Sequence, residues 1–303
     1  MKKPTLIIGT FDGVHRGHRA LFQYAKLKGA DKIVVLAFDG HPAVGIKGKK
    51  TPSCLISWEE KRTLLLKEGV SKVVKMKPDY SLLSLSPKKF LDSVVRDYNP
   101  KSIVEGSDFR FGYKREGDIN FIRNHALENN YDFYTFNAFY CWIKSGVELE
   151  VRARNIRWLL EMGRVEEAAQ MLGRNWSMEG KVESGSRRGR EIKIPTANMD
   201  VSDWEKIKGI FPRKGVYAGK ALGPDNKIYK AAISVGNKPT FKNENYTVET
   251  HMIGYRGEVE NYGWFQKIWF HKWIRDQYAF DSLNSLKAQI TTDLHLIKEI
   301  IYD

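Results

Sequence analysis

Residues 5–22 constrain this chain more than any other stretch. The run Thr-Leu-Ile-Ile-Gly-Thr-Phe-Asp-Gly-Val-His-Arg-Gly-His-Arg-Ala-Leu-Phe starts with Leu6, Ile7 and Ile8, which read as a buried strand. The strand stops at Gly9, and a tight turn carrying Phe11, Asp12 and Gly13 follows. His15, Gly17 and His18 then open a segment whose apolar residues, Ala20, Leu21, Tyr24 and Ala25, recur at helical spacing. A strand, a glycine turn and a helix start gather free backbone N–H groups and the positive end of a helix dipole at one point. That is a ready site for an anion. The two imidazoles add donors for phosphate oxygens, and Gly17 allows close approach. Histidines at a helix start also serve as solvated caps, so the residues alone leave both readings open.

The pattern that follows alternates strand and helix. Lys32–Phe38, Lys72–Met76, Ser102–Glu105 and Phe133–Phe139 read as strands. Ser57 opens a helix with capping-box spacing to Glu60, and Gly69 stops it. Ser86 followed by Pro87 predicts a helix to about Asp97, and Ile119–Asn129 predicts another. Such alternation argues for a parallel sheet with helices on both faces, whose ligands sit beyond the carboxyl ends of the strands. Two short helices broken at Gly163, Ile156–Met162 and Arg164–Leu172, form a joint. Past the joint the pattern changes to short strands at Met178–Glu183, Val216–Ala221, Lys230–Val235, Tyr246–Met252 and Lys267–Trp273. They predict a small antiparallel barrel. Ser282 caps a closing helix to about Tyr302, with Leu283, Leu286, Ile290, Leu294 and Ile297 as its apolar stripe. The expected fold class is therefore α/β plus β: a Rossmann-like domain over residues 1–172 and a barrel domain over residues 173–303.

Composition narrows the partners. A chain of 303 residues, 42% hydrophobic and 12% aromatic, builds two real cores. No apolar run approaches the ~18 residues of a membrane span. Lys2 and Lys3 precede only a short apolar run, which meets Asp12 and His15, so no secretory signal is expected. Cys54 and Cys141 lie far apart and make neither a disulfide framework nor a metal cluster, which implies a reducing, cytoplasmic setting. A net charge of +14 fits polyanionic partners, nucleotides or RNA. Lys47, Lys49 and Lys50 form one local cluster, read as a solvated surface, and Arg187, Arg188 and Arg190 form another.

The motifs together resemble the bacterial bifunctional riboflavin kinase/FAD synthetase family, and the order of motifs matches it over nearly the whole chain. Gly9-Thr-Phe-Asp-Gly-Val and His15-Arg-Gly-His18 are similar to the ATP signature of the synthetase half, a branch of the nucleotidyltransferase superfamily. Phe38-Asp-Gly-His-Pro42 and Gly106-Ser-Asp-Phe-Arg-Phe-Gly112, followed by Arg115-Glu-Gly-Asp118, also resemble that half. The resemblance implies ATP binding by Gly9, Phe11, Asp12, Gly13, His15, Gly17, His18 and His41. It implies flavin binding by Asp108 and Phe109. Taken as residues alone, Phe109 and Phe111 read equally as core. The family's closing Ile-Ser-Ser-Thr-x-Ile-Arg is here Val151-Arg-Ala-Arg-Asn-Ile-Arg157. Arg157 fits as a phosphate ligand, whereas the small hydroxyl donors are replaced by Arg152, Ala153 and Arg154.

Gly173-Arg174 resembles the entry to the kinase half, and Pro195-Thr-Ala-Asn198 resembles its metal-binding tetrad. The resemblance implies that Thr196 and Asn198 hold Mg²⁺, with hard oxygen donors that suit the ion. It assigns ATP binding to Pro195, while the stretch of Gly180, Gly185, Gly189 and Arg190 is glycine-rich and basic and reads as a flap over the ATP phosphates. Gly236-Asn-Lys-Pro-Thr240 resembles a family turn that brings Asn237 to the flavin, and Arg275 is assigned there too. Val248-Glu-Thr-His251 resembles the strand that bears the family's catalytic glutamate, here Glu249. Without the family, Glu249 reads as an exposed strand carboxylate. Two departures stand out: Lys193 replaces a glycine, and Gln277 replaces an acid in Ile274-Arg-Asp-Gln-Tyr-Ala-Phe280. Trp264, Trp269 and Trp273 read either as an isoalloxazine pocket or as packing.

The expected function is flavin cofactor synthesis. Riboflavin is phosphorylated by MgATP with Glu249 as base. FMN is then adenylylated, with catalytic His15 and His18 stabilising the developing charge. The alternatives are a kinase with a degenerate first domain, and a flavin-sensing or RNA-binding regulator on the same scaffold. Expected partners are riboflavin, FMN and ATP, no membrane, and a possible second copy of the chain.

Overall fold

The structure, a computed structural model, describes residues 2–45, 51–184, 194–237, 246–257 and 263–301. It divides into two compact units, Met1–Ala153 and Arg154–Asp303.

The first unit is a five-stranded sheet of β1 (Thr5–Gly9), β2 (Ile33–Phe38), β3 (Lys72–Met76), β4 (Ser102–Gly106) and β5 (Asp132–Phe136). Every pairing is parallel, and the spatial order is β3-β2-β1-β4-β5. The order reverses between β1 and β4, and the crevice at such a switch point is where open α/β sheets bind ligands. The helices are α1 (Arg16–Leu27), α2 (Trp58–Lys67), α3 (Tyr80–Leu83), α4 (Pro87–Tyr98) and α5 (Ile119–Asn129). Leu6, Ile8, Val34, Leu36 and Ile103 share one sheet face and pack against Phe90, Leu91 and Val94 of α4 and Ile122 of α5. Alternation sends the buried Ile7 and Val35 to the other face. The caps form where their residues predict. Ser57 Oγ accepts from Glu60 N–H, and Ser86 Oγ accepts from Lys89 N–H with Pro87 at the first helical position.

β5 ends at Phe136, three residues short of the expected end, and Ser107 N–H bonds the Phe136 carbonyl beyond the strand. A hairpin of β6 (Tyr140–Trp142) and β7 (Glu148–Glu150) follows, which the sequence pattern did not announce.

The second unit opens with α6, whose range Ala153–Glu161 begins at the division, and α7 (Val165–Leu172). Gly163, at φ +75°, separates them as expected. Then come β8 (Trp176–Glu183), β9 (Ala197–Met199), α8 (Ser202–Lys206), β10 (Gly215–Leu222), β11 (Ile228–Asn237), β12 (Tyr246–Met252), β13 (Phe265–Arg275) and α9 (Leu283–Ile300). The six strands close into an antiparallel barrel in the order β10-β11-β12-β9-β8-β13. Closure leaves no sheet edge. Trp176, Tyr217 and Phe270 are fully buried and fill it, with ring centroids 5.1–5.2 Å apart for Trp176–Phe270 and Tyr217–Phe270. The sixth strand, β9, overlaps the end of the Pro195–Asn198 motif and was not among the expected strands. α9 packs through Ile297 and Ile301 on Ala218 and Ala232, a registered alanine pair that lets the helix approach. Leu283, the first residue of the expected stripe, is 53% exposed.

Candidate active sites

In the sheet unit, β1 runs into a turn whose backbone is costly. Phe11 and Val14 adopt left-handed φ values of 46° and 38°, and both side chains are buried, which holds the strain in place. Asp12 is 8% exposed, and its Oδ1 accepts the Leu55 N–H at 2.9 Å. The turn is thereby tied to the segment before α2. His15 is the N-cap of α1, and its N–H donates to His18 Nδ1 at 3.2 Å. The two imidazoles stack, with centroids 3.6 Å apart. Because His18 Nδ1 accepts, its Nε2 carries the proton and is a donor. A Cβ at Gly17 would lie 3.0 Å from the Val151 carbonyl and 3.1 Å from His15 Nδ1. Gly17 therefore admits protein backbone and the His15 ring at close range. Gly9 ends β1 and Gly13 sits in the turn at φ +79°.

The other strand exits converge on the same end of the sheet. His41 follows β2, where its Nδ1 accepts the Ala43 N–H. Lys61 of α2 is buried, and its Nζ donates to the Phe38 carbonyl at 2.8 Å. Burial lowers its pKa, while Asp12, Cys54 and Asp39 oppose that shift. Sequence reading passed over Lys61, since a lysine in an exposed-looking helix start carries no motif.

After β4, Phe109 stacks on Phe111 at 5.6 Å, and both belong to or pack on the core; Phe111 is 7% exposed. Asp108, exposed, pairs with Arg152 at 2.9 Å, and Arg152 also pairs with Glu150. The arginine that replaces a small hydroxyl residue is thus held by the loop after β4; burial works to lower its pKa, and these carboxylates outweigh that and raise it. Arg157 stands on α6, in the second unit.

In the barrel unit, register builds the site. Glu183 of β8 pairs with Asn198 of β9, Asn198 with Glu249 of β12, Glu249 with Ser234 of β11, Ser234 with Val216 of β10, and Val216 with Arg275 of β13. Directly opposed residues share a face, with Cβ atoms about 5 Å apart. Val248 and Thr250 are buried in the barrel, so Glu249 between them points outward, and with it the whole row. Thr196 Oγ1 donates to Glu249 Oε2 at 3.2 Å. His251 Nδ1–H donates to the Pro195 carbonyl at 2.8 Å and fixes the segment that carries Thr196. Three oxygen-bearing side chains, Thr196, Asn198 and Glu249, therefore meet at one place.

A cavity of about 180 Å³ opens beside them, lined by Asn198, Glu183, Asp200, Glu205 and Tyr246. Tyr246 also walls a second cavity of about 350 Å³ with Phe211, Arg213, Lys214 and Asp276. Phe211 and Tyr246 stack at 4.0 Å.

Gly180 lies within β8, and Asn237 ends β11, exposed. Arg275 spends its donors inside the protein: Nε and Nη2 on Asp293 of α9, at 2.7–3.1 Å, and Nη1 on the Asp276 carbonyl. Trp273 packs under Arg213, whose guanidinium lies 5.0 Å from a Trp273 ring centroid. Gly185, Gly189, Arg190 and Lys193, the Lys47–Lys50 and Arg187–Arg190 clusters, and Lys238–Thr240 lie outside the described residues. Ser234 escaped sequence reading, because only the register places it beside Glu249.

Fold and sites together define a two-part class of protein: a doubly wound, nucleotide-binding type of sheet with a histidine-capped helix at its switch point, joined to a closed barrel bearing an oxygen-rich cluster. The FAD synthetase family model matches residues 1–143, and the riboflavin kinase family model matches residues 172–301. The chain is 32% identical over 292 residues to the bifunctional riboflavin kinase/FMN adenylyltransferase of Escherichia coli strain K12, across 95% of this chain and 90% of that relative. The Haemophilus influenzae relative of the same description is 29% identical, across 97% and 92%. A solved structure from Streptococcus pneumoniae, described as a macrolide-efflux protein, superposes with a TM-score of 0.86 at 26% identity, covering 98% of this chain and 95% of that one. Among the described residues of this chain no helix is long and apolar enough to cross a membrane. The chain belongs to the bifunctional riboflavin kinase/FMN adenylyltransferase family.

Proposed function

We propose that both units turn over, the barrel making FMN from riboflavin and ATP and the sheet unit making FAD from FMN and ATP. The chain acts in flavin cofactor synthesis, as its family does. The observation that carries the site assignment is the meeting of Thr196, Asn198 and Glu249 on registered strands.

In the barrel, Glu249 takes the proton from the terminal ribityl hydroxyl as that oxygen attacks the γ-phosphate of ATP. Thr196 and Asn198 offer hard oxygen donors that fit Mg²⁺, with phosphates completing the shell. When bound, the ion neutralises charge on the transferring phosphoryl group. The aromatic wall of Phe211 and Tyr246 suits a planar isoalloxazine. Asn237 closes the same end of β11, and Arg275 serves the flavin side by fixing the 275–277 segment.

In the sheet unit, the N-terminus of α1 and His18 Nε2–H face the phosphates of ATP, with the His15 backbone N–H holding the His18 tautomer and the His15 ring stacked on it. The FMN phosphate attacks the α-phosphate and pyrophosphate leaves. Asp108 and Phe109 border the flavin, and the Arg152–Asp108 pair fixes the loop after β4 on that side. We place the chain in a reducing, cytoplasmic setting, to which Cys54 and Cys141, not joined in a disulfide, are suited.

The test is a product assay. Purified chain is incubated with riboflavin, ATP and Mg²⁺, then with FMN in place of riboflavin, and flavins are separated by chromatography. FAD from both starting points is expected. FMN alone would mean that Arg152 closes the adenylylation site. Neither product, together with steeply salt-dependent RNA binding, would replace this reading with a regulator.

A further inference from the structure

Ser234 lies directly across from Glu249, on the side away from Asn198. It is itself a hydrogen-bond acceptor: Gln277 Nε2 donates to Ser234 Oγ at 2.9 Å. The Gln277 amide is held there from three directions. It lies over Gly236, where an added Cβ would come within 2.3 Å of Oε1. Arg275, two residues earlier, is clamped by Asp293. Asp276, the residue between, is paired with Arg213 at 2.9 Å.

This arrangement sets the direction of a proton. A serine hydroxyl that accepts from an amide still has its own O–H to give. Among the described residues no acceptor takes it. Val216, the other neighbour on the row, is apolar. An acid at position 277 would behave in the opposite way, because a carboxylate only accepts and would capture the serine proton. Gln277, as the donor in this bond, therefore leaves the Ser234 O–H to be given elsewhere.

On the reading of Glu249 as base, the phosphoryl donor lies on the Thr196–Asn198 side. The acceptor alcohol approaches from the other side, along Ser234. We propose that Ser234 donates a hydrogen bond to a ribityl hydroxyl of riboflavin next to the one deprotonated, and that Gln277 is the positioning residue that aims it. The ligand class is the polyol chain, not the flavin ring and not the nucleotide.

The test is steady-state FMN formation by the full chain, with riboflavin and ATP varied separately and lumiflavin, which lacks the ribityl chain, as a competitive inhibitor. In Ser234→Ala the KM for riboflavin rises about fivefold, the loss of one neutral hydrogen bond. The kcat, the KM for ATP and the lumiflavin inhibition constant stay within about twofold. Ser234→Thr keeps the hydroxyl and restores the riboflavin KM. Gln277→Glu raises the riboflavin KM as Ser234→Ala does, and adds nothing in the Ser234→Ala background. An unchanged riboflavin KM in Ser234→Ala overturns the proposal, as does an equal weakening of lumiflavin. Glu249→Gln separates the two layers. If that variant keeps full turnover, the assignment of the base fails and this inference with it. If it is inactive while Ser234→Ala behaves as wild type, only the inference fails.

Discussion

At the scale of single residues, Glu105 is a buried group held under tension. It sits on β4 at the switch point, 2% exposed, on the same sheet face as Ile103. The pairing of β1 with β4 runs only from Thr5–Ser102 to Leu6–Ile103. Beyond it, the Ile8 N–H has no strand carbonyl from β4 and donates to Glu105 Oε1 at 2.6 Å instead. A side chain thus replaces a ladder bond where the crevice opens. Burial pushes the Glu105 carboxyl well above its usual 4.5, and Asp108 adds to the rise against the opposing Ile8 bond. The folded chain keeps a proton that the unfolded chain gives up. The contribution is whole below about pH 4.5 and is lost as pH rises toward the native pKa, at about 1.4 kcal/mol per pH unit. Glu105→Gln keeps the acceptor and cannot ionise. Its stability is expected to match wild type at pH 4 and to exceed it increasingly above pH 5, read by hydrogen exchange at β1 and β4 amides. A difference that does not change with pH would contradict a neutral Glu105. Glu105→Ala leaves Ile8 N–H buried without an acceptor and costs about 1–3 kcal/mol at pH 4, a cost that shrinks as pH rises and the wild-type contribution is lost.

At the scale of elements, α9 shows how strongly one pair can outweigh a cap. Ser282 accepts the Ser285 N–H at 3.1 Å at the exposed start of the helix. Near its middle, Asp293 is 5% exposed in its side chain and takes a two-pronged bond from Arg275, with Gln289 as a further donor. Ser282→Ala should cost about 1 kcal/mol. Arg275→Met strands a buried carboxylate and should cost about 3–5 kcal/mol. Amide exchange along Leu283–Ile300 measures both; equal effects would mean that the pair does not anchor the helix. The cap was legible in the sequence and the pair was not. A cap is a local pattern, written within four residues. The pair joins positions 18 residues apart, and Arg275 invites a ligand reading until its partners are seen. The same contrast runs through the fold. Parallel strands declared themselves as apolar runs, and turns as glycines. β9 did not, because a three-residue strand is too short to show a period. The candidate site divides likewise. His15, His18, Thr196, Asn198 and Glu249 came from motifs, whereas Ser234 and Lys61 needed register and burial to be noticed.

At the scale of the whole molecule, two units carry two sets of functional groups on two unrelated architectures. The histidine-capped helix belongs to the first, and the Thr196–Glu249 cluster to the second. On the proposed roles, a residue of one set can be replaced without touching the other. Glu249→Gln should lower FMN formation from riboflavin by about 10²–10⁴-fold, the usual worth of a general base. FAD formation from added FMN should continue at the wild-type rate. His18→Ala should do the reverse, losing about 10²–10³-fold in FAD formation, as a lost charge-stabilising donor does, while FMN accumulates. The two damaged proteins mixed in equal amounts carry one intact copy of each step. FMN released by the His18→Ala protein is then a free substrate for the Glu249→Gln protein. The mixture should convert riboflavin to FAD although neither variant does so alone, after a lag while FMN builds up in solution. Added FMN removes the lag. A mixture that stays silent on riboflavin yet makes FAD from added FMN would show that FMN does not pass freely between chains, and that the two steps are coupled within one molecule.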